Sequence, residues 1–248
     1  MTALITPQWP LPAGVKACSS LRTGGVSQPP FDSLNLGLHT GDSPEDVARN
    51  RAILAEVAGF PDTPLWLNQV HGTDVAILDD NTPRGPQADA VYTRTPGKVC
   101  AIMTADCLPV LFCSRDGREV AGAHAGWRSL CGGVLENTVS CFTAAPSDII
   151  AWLGPAIGPQ KFEVGAEVRE AFMAHAAEAA SAFIPHGDKY LADIYQLARQ
   201  RLAAAGVTAV SGGTECTVTD SARFFSYRRD ARTGRMASFI WITPPQKS

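Results

Sequence analysis

The sequence predicts an α+β fold in which helices flank mixed β-sheets. Apolar runs of strand length recur at residues 15–21, 98–104, 108–113, 149–153 and 236–242. Segments with helical start and stop signals fall among them without a strict strand–helix alternation, which argues against a doubly wound parallel sheet. The 248 residues suffice for one large domain or two small ones, and no repeat, low-complexity linker or composition shift marks a boundary.

Taken in chain order, residues 15–21 read as the first strand. Residues 22–41 form a polar loop rich in Gly, Pro, Ser and Asn. Loops beyond about 12–15 residues in a compact domain are often functional. Ser43-Pro44-Glu45-Asp46 starts a helix: a capping serine, proline in the first turn, then acids at the positive end of the dipole. That helix should turn Val47, Leu54, Val57 and Ala58 inward and stop at Gly59. Residues 65–70 and 74–78 read as strands around a His71-Gly72 turn, and 81–87 as a loop. Residues 98–104 and 108–113 read as two buried strands interrupted at Asp106-Cys107. A turn at Arg115-Asp116-Gly117 leads to a small-residue strand over 119–124, then to a helix from Gly126 to about Phe142. A strand over 149–153 precedes helices near 166–179 and 193–205, the second stopped by Gly206. The C-terminal part reads as a hairpin, 224–229 and 236–242 around a turn at 231–234.

A chain of this length buries roughly 70–75% of the surface its unfolded form exposes, so it needs no disulfides. Apolar residues make up 45% and charged residues 18%, which is ordinary for a globular protein. The net charge of −3 and the absence of long charged runs argue against nucleic acid or an anionic membrane as the main partner. No apolar stretch reaches the length of a membrane span, and residues 1–12 lack the pattern of a signal peptide. Seven irregularly spaced cysteines fit a reduced, cytoplasmic setting.

The candidate chemistry lies in His71, Cys107 and His124, each where an apolar run meets a polar or glycine-rich turn. Two imidazoles and a thiol suit zinc, and three protein ligands leave a fourth position open, as in catalytic sites. The same groups also compose a thiol nucleophile with a histidine base, or simply strand ends with a core thiol. Asp106, Gln69 and Asp89 are candidates to orient the ligands, and Gln69 is also a candidate contact to the substrate. Gly126 and Arg128, at a strand-to-helix turn, suit an anion. Arg22 and Asn35 lie in the polar loop, whose donors suit a polar ligand. Tyr227 and Arg228 put an aromatic beside a cation, which suits a base or ribose. His175 and His186 read as solvated, His39 as part of the loop, and the other six cysteines as core thiols.

The stretches RTGGVSQPPFDSLNLGLHTGD, NQVHGTDV, ADAVYT, TADCLPVLF, AGAHAGWRSLCGGVLE, WLGPAIGPQKFEVG and FFSYRRDARTGRMASFIWI resemble the YfiH-type laccase-domain family. That family is also called multicopper polyphenol oxidases, purine nucleoside phosphorylases or peptidoglycan editing factors. The resemblance runs in order over almost the whole chain and implies one catalytic domain, 1–248. Its implied fold is a layered α/β/β/α arrangement with mixed β-sheets, resembling a cytotoxic-factor cysteine hydrolase. It implies that His71, Cys107 and His124 are the catalytic and metal-binding residues, with zinc the expected ion and copper an alternative. The implied activities are phosphorolysis of adenosine, inosine, guanosine and methylthioadenosine, and deamination of adenosine, so purine nucleosides and phosphate are the expected partners of a monomer. Editing of a cell-wall precursor, a copper laccase and a zinc-holding binding module are the rivals. Five histidines, with no pair separated by one residue, fit a multicopper oxidase poorly.

Overall fold

The computed structural model describes residues 4–246, so the first part of the stretch read for a signal peptide lies outside the described residues. The chain opens with strands β1 (Leu4–Ile5) and β2 (Val15–Ser20), and helix α1 spans Pro44–Ala58. Helix α1 forms where its caps place it. Ser43 Oγ accepts the Asp46 N–H at 3.3 Å, and the N–H of Gly59, in the left-handed conformation, closes on Ala55 O. Strands β3 (Val75–Ile77), β4 (Ala90–Thr93), β5 (Val99–Thr104), β6 (Leu108–Ser114) and β7 (Val120–Ala125) follow. Then come α2 (Trp127–Gly132), α3 (Val134–Ser140), β8 (Ile149–Leu153), β9 (Glu163–Val164) and α4 (Ala166–Met173). The chain finishes with β10 (Phe183–His186), β11 (Lys189–Ala192), α5 (Ile194–Ala204), β12 (Ala209–Gly212), the one-turn α6 (Tyr227–Asp230) and β13 (Met236–Ile242).

These strands form a four-stranded antiparallel sheet, β1-β2-β13-β5, and a six-stranded mixed sheet, β12-β8-β6-β7-β4-β3. Among the named strands of the described residues, parallel pairing occurs at the two edges of the larger sheet, β3 with β4 and β12 with β8. A small antiparallel sheet, β10-β11-β9, lies apart. Strand period divides the side chains between layers. Cys100, Ile102 and Ile240 of the smaller sheet meet Leu111, Cys113 and Val120 of the larger one in a core between the sheets. Their neighbours Val99, Ala101, Phe239 and Trp241 face the other way, onto Leu54 of α1 and Leu34 and Leu36 of the polar loop. On the far side, Val110 and Phe112 pack with Leu135 of α3, Leu197 of α5 and Phe172 of α4. The order of layers is therefore α/β/β/α, as the fold reading implies. Strands buried on both faces read as continuous apolar runs for this reason, and each fully buried Ile or Leu contributes roughly 1.5–3 kcal/mol.

Several local expectations are corrected. The runs 98–104 and 108–113 are strands, but they belong to different sheets, so the Asp106-Cys107 turn is a crossing between layers. Residues 65–70 form no ladder beyond isolated bridges at Leu65 and Asn68. Gln69 substitutes its side-chain amide for one, with Nε2 donating to Met103 O at 2.8 Å and Oε1 accepting the Met103 N–H at 2.9 Å. The helix expected over 126–142 is two helices, because Gly133 takes φ 106° and serves as the end of α2 and the start of α3. The helix near 166–179 ends at Met173 and is followed by a tighter helical turn, Ala177–Ala182, which leaves His175 exposed between them. Val57 is solvent-exposed rather than inward. The C-terminal hairpin does not form: 236–242 pairs with β2 and β5, and 227–230 curls into α6. No helix among the described residues is long and apolar enough to cross a membrane.

Candidate active site and metal centre

Three connections bring His71, Cys107 and His124 together: the turn after the 65–70 segment, the crossing from β5 to β6, and the end of β7. One ligand atom from each lies within 4.8 Å of the other two, and among the described residues this is the one such cluster. The imidazole centroids are 4.9 Å apart. Gly126 backs the cluster. A Cβ there would sit 3.0 Å from Cys107 Sγ and 3.1 Å from His71 Nδ1, so its lack of a side chain leaves room for the group.

One buried carboxylate organises both histidines. Asp89 accepts from His124 Nδ1 at 2.7 Å and from the backbone N–H groups of Val70, His71 and Gly72 at 3.0, 3.0 and 2.8 Å. A carboxylate only accepts, so in the neutral His124 ring, the form that can ligate, the proton sits on Nδ1 and Nε2 is left for the cluster. Three converging amides also hold His71 at φ 59°, outside the usual range for a residue with a side chain. Burial alone would raise the Asp89 pKa, but the His124 and backbone hydrogen bonds hold it below the usual carboxylate range. Burial likewise disfavours charge on His124, and it is outweighed by Cys107 and Asp89, which push its pKa to about 9. The Cys107 thiol hydrogen-bonds the same ring. His71 is pushed down by burial and by His124, Arg128 and Arg235, which suits a neutral ligand nitrogen.

A second carboxylate fixes Cys107. Asp106 has φ 103°, a conformation that costs a residue with a side chain about 1–3 kcal/mol. Its oxygens accept Thr217 Oγ1 at 2.6 Å, Ser226 Oγ at 3.0 Å and the Arg228 N–H at 2.6 Å. These bonds tie the Cys107 turn to α6 and explain why 224–229 curls instead of extending. Burial raises the Asp106 pKa, against these hydrogen bonds.

The cluster opens into a cavity of about 700 Å³, within the usual range for a small-molecule site. Gln69, Arg128, Tyr227 and Arg228 line it, as do Trp127, Phe162, His39 and Arg235. Gln69 spends its amide on Met103, so it braces the wall. Arg22 and Asn35 are not on this wall, which corrects their reading as contacts to a ligand here. Arg22 donates to Asp32 O and Ser221 O beside a shallow second depression. Asn35 is fully buried: its Oδ1 accepts the N–H groups of Gly37 and Arg235, and its Nδ2 donates to Thr40 and Asp42. It shapes the loop that carries His39. Asn50, buried on α1, does the same through Val26, Ser27 and Asn35. Of the remaining thiols, Cys18, Cys100, Cys113 and Cys131 are buried and Cys141 and Cys216 half-buried.

Sequence reading passed over Arg235, Phe162 and Asn50. Arg235 had one signal, a cation in Thr233-Gly234-Arg235 just ahead of the long apolar run. Asn50 had another, an amide on the inward face of α1, three residues after Val47 and four before Leu54.

Comparison with known proteins gives a consistent picture. A family model described as multi-copper polyphenol oxidoreductase laccase matches residues 16–243. A Shigella flexneri protein named purine nucleoside phosphorylase YfiH is 66% identical over 242 residues, spanning 98% of this chain and 100% of that one. A Pseudomonas aeruginosa protein, also named a purine nucleoside phosphorylase, is 55% identical over 98% of this chain and 99% of its own. Among solved structures, a Neisseria meningitidis protein superposes with a TM-score of 0.93 at 51% identity, covering 97% of this chain and 99% of that one. A Bacillus licheniformis hypothetical protein, YfiH, superposes with a TM-score of 0.89 at 30% identity, covering 92% and 93%. On this match in sequence and fold, the chain belongs to the YfiH-type laccase-domain family described as multi-copper polyphenol oxidoreductase laccase.

Proposed function

We propose that this chain is a purine nucleoside phosphorylase that also deaminates adenosine, with both reactions in the cavity over His71, Cys107 and His124. Adenosine, inosine, guanosine and methylthioadenosine are the proposed substrates, with phosphate as the second reactant. The observation that carries the reading is the joining, in one cavity, of a three-ligand cluster with aromatic and guanidinium walls. The relatives' names point the same way.

The donor set fits zinc: two imidazoles and a thiol, with the Asp89 carboxylate bonded to the His124 ring behind them. Zinc, when bound there, supplies a Lewis acid that lowers the pKa of a coordinated water. The chain's own residues do the rest. Asp89 keeps His124 in one tautomer and one orientation. Trp127, Phe162 and Tyr227 offer apolar faces to a purine base. Arg128, Arg228 and Arg235 supply the positive field that phosphate needs as it meets the anomeric carbon. In phosphorolysis the bond from sugar to base breaks, phosphate oxygen bonds the anomeric carbon, and the base leaves with a proton. Two histidines in the cluster are too few for a set of several coppers, so a laccase reaction is not part of the proposal. The protein works as a monomer in the cytoplasm, in keeping with its free thiols.

A second reading has its own observation. Cys107, His124 and Asp89 form a continuous thiol–imidazole–carboxylate chain, the arrangement of a cysteine hydrolase acting on a cell-wall precursor. Metal removal separates the two. The expected result is that adenosine gives adenine and ribose 1-phosphate with phosphate, and inosine without it. Both activities should vanish on chelation and return with zinc. Cys107→Ala should abolish both while the circular dichroism spectrum stays unchanged. Turnover that survives complete metal removal favours the thiol chain, and absence of all three products from metal-loaded protein refutes the nucleoside reading.

A further inference from the structure

Most arginines that face carboxylates in this protein are paired with them. Arg22 meets Asp32, Arg201 meets Glu136, Arg223 meets Glu215 and Asp220, and Arg229 meets Asp230. The three on the cavity wall differ. Among the described residues, Arg128, Arg228 and Arg235 take part in no ion pair. The one carboxylate lining the cavity, Asp106, spends its oxygens on Thr217, Ser226 and the Arg228 N–H. The cavity thus holds three guanidiniums without a bonded counter-charge, and an anion is the missing partner.

The three are not equivalent. Arg128 stacks over Trp127 at 4.5 Å and makes no hydrogen bond among the described residues. Arg228 donates Nη1 to Glu163 O and is exposed. Arg235 is half-buried, close enough to Cys107 and Asp106 to feel both electrostatically, and built in from behind. Its backbone N–H is held by Asn35 at 2.8 Å, and its Nη1 donates to Thr233 O at 3.2 Å and Gly234 O at 3.0 Å. That leaves Nε and Nη2 without a hydrogen-bond partner among the described residues. These two donors form the edge of a guanidinium that grips an oxyanion bidentately. The side chain is fixed in advance, so little conformational freedom is lost when the anion arrives. His39 lines the same wall and sits in the field of Arg235.

The geometry points to Arg235, with His39 beside it, as the subsite for the phosphate co-substrate; Arg128 and Arg228 supply only the surrounding field. This rests on the phosphorylase reading and deepens it. It also moves the anion away from the turn at Gly126, where the following helix has six residues. Rigid anchoring of Arg235 on the lead-in to β13 would hold the phosphate against the sugar while the aromatic wall holds the base.

The test compares Arg235→Gln, Arg235→Lys and Arg128→Gln in zinc-loaded protein. Arg235→Gln should raise the KM for phosphate roughly 10- to 100-fold, the equivalent of losing a charge-assisted hydrogen-bonded pair. The KM for adenosine should move by less than about twofold, as expected for a contact made only to the other reactant. Arg235→Lys, which keeps the charge but not the fork, should fall between, and Arg128→Gln should change the phosphate KM less than Arg235→Gln. A ³¹P NMR titration with inorganic phosphate reads the same subsite without turnover. If the wild type forms no ribose 1-phosphate yet binds phosphate in an Arg235-dependent way, the phosphorylase reading fails and the anion site stands. The subsite is overturned if phosphate binding is absent in the wild type or unchanged in Arg235→Gln, or if its loss follows Arg128 instead. It is also overturned if AMP, but not free phosphate, depends on Arg235.

Discussion

Asp89 does more for the site than any residue that touches the cavity. Its carboxylate receives four donors and so sets the turn at His71 and the ring of His124 together. An amide in its place offers one acceptor oxygen and an NH2 that faces donors. Asp89→Asn should therefore weaken zinc binding by about 10- to 100-fold, the usual effect of losing a carboxylate behind a ligating histidine. Competition against a chromophoric chelator measures this. An unchanged affinity would mean that the backbone alone orients the rings. At this scale the sequence was half legible. His71, Cys107 and His124 stood out by residue type and position, and Asp89 could be suspected as an orienting group. That one carboxylate serves both histidines depends on a register that no spacing reveals.

At the scale of elements, strong local signals carried through and weak ones did not. The caps of α1 and the apolar runs of β5, β6, β8 and β13 specified those elements by themselves. The break at Gly133 was written in the Gly132-Gly133 pair, whereas α6 had only the local cap of Ser226, whose Oγ accepts the Arg229 N–H, and is otherwise captured by Asp106 from another element. The start of β7 shows a similar long-range tie. Glu119 is buried and accepts Tyr92 Oη at 2.5 Å and the Thr143 and Ala144 N–H groups at 2.7 and 3.0 Å. Burial pushes its pKa up, but these three donors together hold it below its ordinary 4.5. A folded-state pKa below the unfolded one gives stability that is present above pH 4.5 and is lost as pH falls through the folded value. Glu119→Gln should cost about 1–3 kcal/mol at pH 7. Its urea midpoint should also vary less with pH below 4.5 than that of the wild type. Equal pH profiles for the two proteins would contradict the assignment.

On the scale of the whole molecule, the candidate site is a clasp between layers. Cys107 lies on the crossing from the four-stranded to the six-stranded sheet, His124 ends a strand of the larger sheet, and His71 hangs from a segment tied to β5 by Gln69. A metal held by all three binds the folded arrangement and not the unfolded chain. At a free concentration a hundredfold above its Kd, zinc should add about 2.7 kcal/mol of stability. Thermal unfolding with zinc and with a chelator measures the increment, which Cys107→Ala should lack. If zinc leaves the wild-type Tm unmoved, the cluster is not a resident metal site.

By itself the sequence determined the strongly signalled elements, α1 and the apolar strands, and the chemical types at the site. Apolar runs, caps and glycines act through the few residues around them, and the imidazoles and the thiol are recognisable wherever they fall. Tertiary structure alone decided which of the polar candidates share a cavity. It placed Arg235 there and turned Asn35 and Arg22 to other work, because contacts between residues far apart in sequence follow from how sheets stack and loops are tied.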